Sequence, residues 1–100
     1  MKLSEKAFLQ QVKDLARAMG WFCYHTHDSR RSDPGFPDLV LTRYGRLIFA
    51  ELKAENGKTS EAQIDWLGAL ELVARDASVV MVRLWRPSDW PEIEATLTGK

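Results

Sequence analysis

The sequence predicts an α/β fold, a mixed β-sheet flanked by helices in the order α-β-β-β-α-β-α. Three observations predict it: two amphipathic segments each open with a capping serine, four short apolar segments lie between and after them, and polar loops containing proline or glycine separate the elements. With 100 residues, 45% of them hydrophobic and 28% charged, the chain is expected to form a single domain over residues 1–100.

The first helix is expected to begin behind Ser4, whose hydroxyl can cap it, and to stop at Gly20. The segment "WFCYHT" is rich in aromatic residues and predicts the first strand. Its Cys23 has no cysteine partner in the chain, so we expect a small buried side chain there. The polar segment "HDSRRSDPGFP" predicts a loop. Apolar residues recur at helical spacing in the first segment, at Phe8, Val12, Leu15, Ala16 and Met19.

The segments "DLVLT" and "RLIFAELK" predict a hairpin whose tight turn lies near Tyr44-Gly45. If these two residues are the centre of the turn, Arg43 faces Arg46 and Asp38 faces the acid of the second strand, Glu51. A three-residue loop with a left-handed glycine would slip the pairing by one residue, and the sequence leaves this alternative open.

The second half predicts a helix, a strand and a short helix. Ser60 and Gln63 form a capping box that opens a helix through about Arg75. The segment "SVVMVRLW" is almost entirely apolar and predicts a strand buried on both faces. Ser88 can cap a last helix. We expect core or dimer contacts, rather than base stacking, from Trp66, Trp85 and Trp90.

Composition excludes some functional classes. No apolar run approaches the roughly 20 residues that span a bilayer, and no signal peptide is evident, so a cytoplasmic protein without membrane contact is expected. The formal net charge is zero, which argues against indiscriminate polyanion binding. A local basic patch is nevertheless predicted, because six cations fall between residues 30 and 58: Arg30, Arg31, Arg43, Arg46, Lys53 and Lys58.

The hairpin gathers charge at one end of the sheet. Asp38 and Glu51 face each other, and Lys53 shares the face of Glu51 because side chains alternate with a period of two. Opposed like charges are unfavourable, and a divalent cation between them removes the repulsion. Few oxygen ligands with room for water suit Mg²⁺ or Mn²⁺. From the spacing alone, two ordinary strand-end acids and a surface lysine remain an equal alternative.

The wider motif is similar to known nucleases. Pro37-Asp38 followed by Glu51-Leu52-Lys53 matches the PD-(D/E)xK nuclease pattern. The fuller string resembles the VRR-NUC family over roughly residues 20 to 85, with "PGFPD", Gly45-Arg46 and "TSEAQIDWL" as its further marks. The resemblance implies a restriction-endonuclease-like fold and metal-dependent phosphodiester hydrolysis without an organic cofactor.

Short members of that family resemble homodimeric, structure-selective DNA endonucleases that act on branched DNA such as four-way (Holliday) junctions. The resemblance therefore implies DNA and a second copy of the chain as partners. Two alternatives stay open: a non-catalytic nucleic-acid-binding module with the same fold, and an exonuclease acting on duplex ends.

The resemblance also implies residue roles. Asp38 and Glu51, with the backbone carbonyl of Leu52, would hold Mg²⁺ or Mn²⁺, and Lys53 would orient the attacking water and stabilise the transition state. Gln63 would support the site near the lysine, although its capping role is a complete explanation by itself.

Other candidates lie outside the motif. Glu5 is a further metal-ligand candidate, and its alternative role is to stabilise the helix dipole. His25 and His27 could hold a transition metal, but no third histidine or cysteine accompanies them. The residues expected to contact DNA are His25, Ser29, Arg30, Arg31 and Lys58.

Overall fold

The computed structural model describes residues 2–26 and 33–99, and in that part of the chain the predicted element order is confirmed. A short 3-10 turn, Pro87–Asp89, precedes the last helix. The helices and strands are α1 (Glu5–Ala18), β1 (Phe22–His25), β2 (Leu39–Arg43), β3 (Arg46–Leu52), α2 (Glu61–Arg75), β4 (Val80–Trp85) and α3 (Trp90–Thr98).

The four strands form one mixed sheet in the order β1-β2-β3-β4. The first three strands pair antiparallel, and β3 pairs parallel with β4. A parallel pair needs a long crossover, and α2 supplies it. The mixed sheet flanked by helices that the sequence predicts is therefore confirmed.

The hairpin adopts the register expected for a two-residue turn. Arg43 pairs with Arg46, and Leu39 pairs with Ala50. The slipped alternative is wrong, because it would pair Ala50 with Asp38, whereas the structure pairs Ala50 with Leu39. One step beyond the last pair, the two acids of the hairpin face each other.

The turn geometry explains this register. Tyr44 has φ 49° and Gly45 has φ 77°, so both central residues are left-handed, as in the type I′ turns that match the twist of paired strands. Glycine accepts this conformation at little cost, while Tyr44 is held in it and is exposed. The turn thereby fixes which residues meet at the far end of the hairpin.

The main core lies between one face of the sheet and helices α1 and α3. Ser4 caps α1 by accepting a hydrogen bond from the Ala7 N–H at 3.1 Å, as predicted. The Trp21 indole N–H donates to the Leu97 carbonyl at 2.9 Å and joins the segment between α1 and β1 to α3. The core residues are Phe8, Val12, Ala16, Trp21, Leu39, Leu41, Ile48, Ala50, Leu52, Trp85, Ile93 and Leu97.

Two expectations for the C-terminal part are wrong. Strand β4 is not buried on both faces: it is the outermost strand next to β3, only Val82 and Trp85 are buried, and Leu84 is exposed. The residue that precedes α3 as its N-cap is Asp89, not Ser88, because the 3-10 turn moves the helix start. Within the described residues, no helix combines the length and the apolar character needed to cross a membrane.

Candidate active site

Asp38 is fixed at the end of the sheet by its side chain and its backbone. Its Oδ2 accepts a hydrogen bond from the Leu52 N–H at 2.9 Å, across the hairpin. Its carbonyl accepts from the Thr26 N–H at 3.0 Å, which extends the pairing of β1 and β2 by one bond. Because Leu52 is the residue between the glutamate and the lysine of the motif, this contact brings the two halves of the motif together.

Glu51 is a charged residue inside the protein, with 1% of its surface exposed. Its Oε2 accepts a hydrogen bond from the Gln63 Nε2 at 2.8 Å. The Nζ of Lys53 lies 3.9 Å from the same oxygen, at the outer limit of an ion pair. The other oxygen, Oε1, is buried and has no hydrogen-bond partner within the described residues. Burying an acceptor without a partner is costly, so this oxygen needs an explanation.

Burial and charge together raise the pKa of Glu51 to about 8. Loss of solvent is the largest cause, and the negative charge of Asp38 is the second. Lys53 lowers the pKa, but by less than these two raise it. A protonated Glu51 can also donate to Asp38, which raises the pKa further. Either a proton or a cation can therefore relieve the buried acid pair.

Gln63 reaches the site from the first turn of α2. Its Oε1 accepts from the Ser60 N–H at 2.8 Å, and the Ser60 hydroxyl accepts from the Gln63 N–H at 3.2 Å, so the predicted capping box is present. The Nε2 of the same amide donates to Glu51. The cap orients the amide, and the amide in turn restrains the buried carboxylate.

The loop before Asp38 is packed tightly against α2. Gly35 has φ +90°, and a Cβ there would lie 2.3 Å from the Ala62 carbonyl carbon, so only glycine fits. The Phe36 ring packs edge-on against Trp66 at 5.0 Å and against Phe49 at 6.1 Å. Two further tryptophans also pack inward: Trp85, the last residue of β4, is buried, and Trp90, the first residue of α3, lies against the core.

Sequence reasoning missed an arginine clamp behind Lys53. Arg86 donates from Nη1 to the carbonyls of Ala54 and Gly57, each at 2.8 Å. Ser88 donates its hydroxyl to the Glu55 carboxylate at 2.7 Å, and this bond lowers the pKa of Glu55. These contacts join the loop after the lysine to the start of the 3-10 turn. Partners so far apart in the chain leave no local pattern, so a basic residue before a proline was the only signal.

The remaining predicted site residues have fewer observed links to Asp38 and Glu51. Glu5 is exposed at the start of α1, and its charge is the weakest of the causes that raise the pKa of Glu51. His25 ends β1 and pairs with Leu39. Lys58 is exposed in the loop before α2. The expectations for His27, Ser29, Arg30 and Arg31 fall outside the described residues.

The basic patch expected around the acids is divided in the structure. Arg43 and Arg46 pair next to the turn, at the opposite end of the hairpin from the acids. The Arg43 guanidinium lies over the Tyr44 ring at 4.7 Å, and both arginines lie 5.9 Å from the centre of the Trp21 ring. Of the four members in the described residues, only Lys53 and Lys58 lie on the side of the acids.

The donor set fits a small, hard cation. Among residues 2–26 and 33–99, no three side chains of the His, Cys, Asp and Glu types are gathered as a metal site. Two carboxylates, with one unpartnered buried oxygen between them, nonetheless provide the oxygen donors and the unbalanced negative charge that Mg²⁺ or Mn²⁺ requires. These ions commonly bind through one or two carboxylates and keep several waters.

Comparison with known proteins identifies the family. A model described as the VRR-NUC domain matches residues 2–84, a range that includes α1 as well as the motifs. Searches of curated proteins and of solved structures found no match. The element order and the mixed sheet are consistent with a restriction-endonuclease-like fold. Since the family model covers most of the chain, from α1 to β4, the protein belongs to the VRR-NUC family, whose domain is of the nuclease type.

Proposed function

We propose that this protein is a Mg²⁺- or Mn²⁺-dependent DNA endonuclease that acts as a twofold homodimer on branched DNA. The observation that carries the proposal is the buried Glu51, which faces Asp38 and keeps one oxygen without a hydrogen bond in the described structure. Family membership supports the reaction class, and a 100-residue chain offers little surface for a branched duplex unless two copies act together.

The buried acid pair favours catalysis over simple binding. Buried charges cost free energy unless they are paired, and Asp38 adds to the cost of ionising the buried Glu51 rather than relieving it. A module that only binds nucleic acid gains nothing from carboxylates beside phosphates. A cation-binding enzyme does gain, because the same repulsion becomes attraction when the ion is bound.

Each residue has a role that follows from its contacts. Asp38 and Glu51 would hold the ion together with the Leu52 carbonyl, whose peptide is anchored by the hydrogen bond from the Lys53 N–H to the Trp85 carbonyl at 3.0 Å. When bound, the ion supplies Lewis-acid polarisation of a phosphoryl oxygen and a more acidic water. Lys53, with 12% of its side chain exposed, would hold the attacking water and stabilise the extra negative charge of the transition state.

Hydrolysis needs little covalent participation from the protein. Water forms a new P–O bond in line with the P–O bond to the sugar oxygen that breaks. The attacking water gives up one proton, and the departing sugar oxygen takes up one. The protein's contribution is to position the ion, the water and the phosphate, which is the part of catalysis that rigid strand ends perform well. Gln63 would keep the Glu51 carboxylate in one orientation through its 2.8 Å hydrogen bond.

The first test is calorimetric titration with Mn²⁺. The wild type is expected to bind the ion, Glu51→Gln is expected to lose binding, and Arg46→Gln, at the other end of the hairpin, is expected to bind like the wild type. Absence of Mn²⁺ binding by the wild type would instead support the non-catalytic module.

The second test is cleavage of labelled linear, flap and four-way-junction DNA with Mg²⁺ or Mn²⁺. We expect cleavage of branched DNA, none by Asp38→Ala, and nicking of closed circular DNA at a lower rate. Products shortened only from duplex ends would support an exonuclease. Equal cleavage by Asp38→Ala would show that a contaminating enzyme is responsible and would overturn the assignment of the site.

A further inference from the structure

The outer face of α2 has no partner in the described structure. None of the 15 residues of this helix is buried, although one side of it packs on the sheet next to β4. Ile64 is 56% exposed and Leu72 is 62% exposed. With Val73, which is 57% exposed, three large aliphatic side chains are this open on one helix, which is unusual unless another surface covers them.

The exposed residues follow a palindromic pattern. The stripe consists of an acid, an aliphatic residue, a glycine, an aliphatic residue and a base, at sequence intervals of 3, 4, 4 and 3. At 3.6 residues per turn, these five positions fall within an arc of about 80° on the helix surface. The stripe residues are Glu61, Ile64, Gly68, Leu72 and Arg75.

We propose that this stripe is the homodimer surface, with α2 of a second copy crossing it antiparallel about a twofold axis at Gly68. The two glycines then meet, Ile64 packs against Leu72 of the partner subunit, and Glu61 pairs with Arg75 of the partner subunit. The twofold axis generates each contact twice, as an isologous interface requires. This inference deepens the proposed function, since it gives the expected homodimer its contact surface.

Gly68 supports the close approach of two helices. Glycine inside a helix is unfavourable, and at this position nothing lies within 4 Å of the place where a Cβ would be. The single copy therefore gives no reason for a glycine here. A second helix crossing at this residue does, because the missing side chain lets the two backbones approach.

The charge of the helix favours a protein partner over DNA. The described helix carries three acids, Glu61, Asp65 and Glu71, against one base, Arg75. A phosphate backbone would be repelled by such a face. In the antiparallel pair, the acid at one end of the stripe meets the base at the other end, so the pair is electrostatically complementary to itself.

The size of the surface sets the expected affinity. A helix of 15 residues is about 22 Å long and roughly 10 Å wide, so the pair covers less than the about 800 Å² per partner of a standard interface. We therefore expect a dimer that dissociates in the micromolar range. Because Gln63 precedes Gly68 on the same helix, its two copies would lie about 15 Å apart along the helix axes. Two active sites held in this way could make paired cuts.

The charged ends of the stripe provide the first test, by sedimentation velocity from micromolar to millimolar protein. Glu61→Arg and Arg75→Glu are each expected to weaken the dimer about tenfold, and the double variant is expected to recover most of the loss. Each substitution places a charge that is unfavourable for the helix dipole. Without a dimer, the double variant would therefore be the least stable of the three and would recover nothing. A double variant no better than the single ones, or a monomeric wild type at every concentration, would overturn the proposal.

Gly68→Gln provides the second test. Glutamine favours helix and has open space in the single copy, so the Tm of dilute protein is expected to rise while the dimer is lost. A Gly68→Gln variant that dimerises like the wild type would overturn the proposal. Sedimentation requires neither metal nor DNA, so its outcome is separate from that of the nuclease tests. An active monomer would overturn this surface alone, and an inactive dimer would overturn the nuclease function alone.

Discussion

The two ends of the β2–β3 hairpin both place like charges opposite each other, and the protein treats them differently. At the turn, Arg43 pairs with Arg46, and both guanidinium groups lie near aromatic rings. At the open end, Asp38 faces Glu51, which is almost fully buried. The arginines keep solvent and cation–π contacts, whereas the glutamate has lost its solvent and has one unpartnered oxygen.

This difference distinguishes a tolerated charge pair from the pair to which we assign a function. Arginine pairs at a surface turn cost little because water and aromatic rings screen them. The acids are packed so that their repulsion is preserved, and the pKa of Glu51 rises to about 8 as a result. Active sites often keep such unfavourable burial because their reactions need carboxylates with shifted pKa values. A strongly shifted carboxylate pKa therefore indicates a candidate active site.

The largest effect on the comparison is expected from Lys53→Ala. Removing one preorganised cation from the transition state should lower kcat by about 10²–10³ fold, with Mn²⁺ affinity changed little. Arg46→Ala, the matched change at the turn end, should leave kcat within about twofold. Single-turnover cleavage of a four-way junction measures both. Equal losses in the two variants would mean that the ends of the hairpin do not differ in function.

Gly35→Ala and Gly45→Ala compare the two ends in stability. The first adds a Cβ 2.3 Å from a backbone atom of α2 at φ +90°, and a loss of about 2–4 kcal/mol is expected. The second adds a Cβ in open space at φ +77°, and a loss of about 1 kcal/mol in the free energy of unfolding is expected. Urea unfolding gives both values. If Gly45→Ala were less stable than Gly35→Ala, the close packing of the loop against α2 would not explain the need for glycine at position 35.

Gln63→Glu tests the amide at the acid end. The new carboxylate can still accept from the Ser60 N–H, but it has no donor for Glu51, so activity should fall about 10–100 fold. Ser60→Ala is the control: it weakens the helix cap by about 1 kcal/mol and leaves the Glu51 contact in place. Activity and thermal unfolding are measured for both variants. A Ser60→Ala enzyme as impaired as Gln63→Glu would reduce the glutamine to a capping residue.

A further effect is expected in the pH dependence of metal-free stability. The pKa of Glu51 is about 8 in the folded chain and 4.5 as its ordinary value, so between these pH values the folded state holds a proton that the unfolded state has lost. Stability from this group is complete below pH 4.5 and is lost as the pH rises through about 8. We expect Tm to fall progressively as the pH rises across this range.

A substitution and the addition of Mn²⁺ test whether Glu51 causes the fall of Tm with pH. Glu51→Gln should flatten it, and Mn²⁺ should oppose it, because the ion requires the deprotonated carboxylate. Arg43→Gln, a change next to the turn at the other end of the hairpin, should leave the slope unchanged. A slope that persists in Glu51→Gln would have to come from other groups.

The motif residues were predictable because they lie close together along a hairpin. Strand alternation placed Glu51 and Lys53 on one face, and the Tyr44-Gly45 turn set the register that brings Asp38 opposite Glu51. The capping box of α2 was also visible, since its partners are three residues apart. Local rules are sufficient where the interacting residues are neighbours in the chain.

The sequence alone determined the α/β class, the order of elements and the acid–acid–lysine motif, and it limited the hairpin to two registers, because propensity, alternation and turn chemistry act over short distances. Only the tertiary structure decided that Glu51 is buried, that Gln63 bonds to it while capping α2, and that Arg86 holds the loop behind Lys53. It also chose between the two hairpin registers and left the outer face of α2 exposed. The physical reason is that burial and long-range hydrogen bonds depend on which elements pack together, and elements distant in the chain carry no local record of their contact.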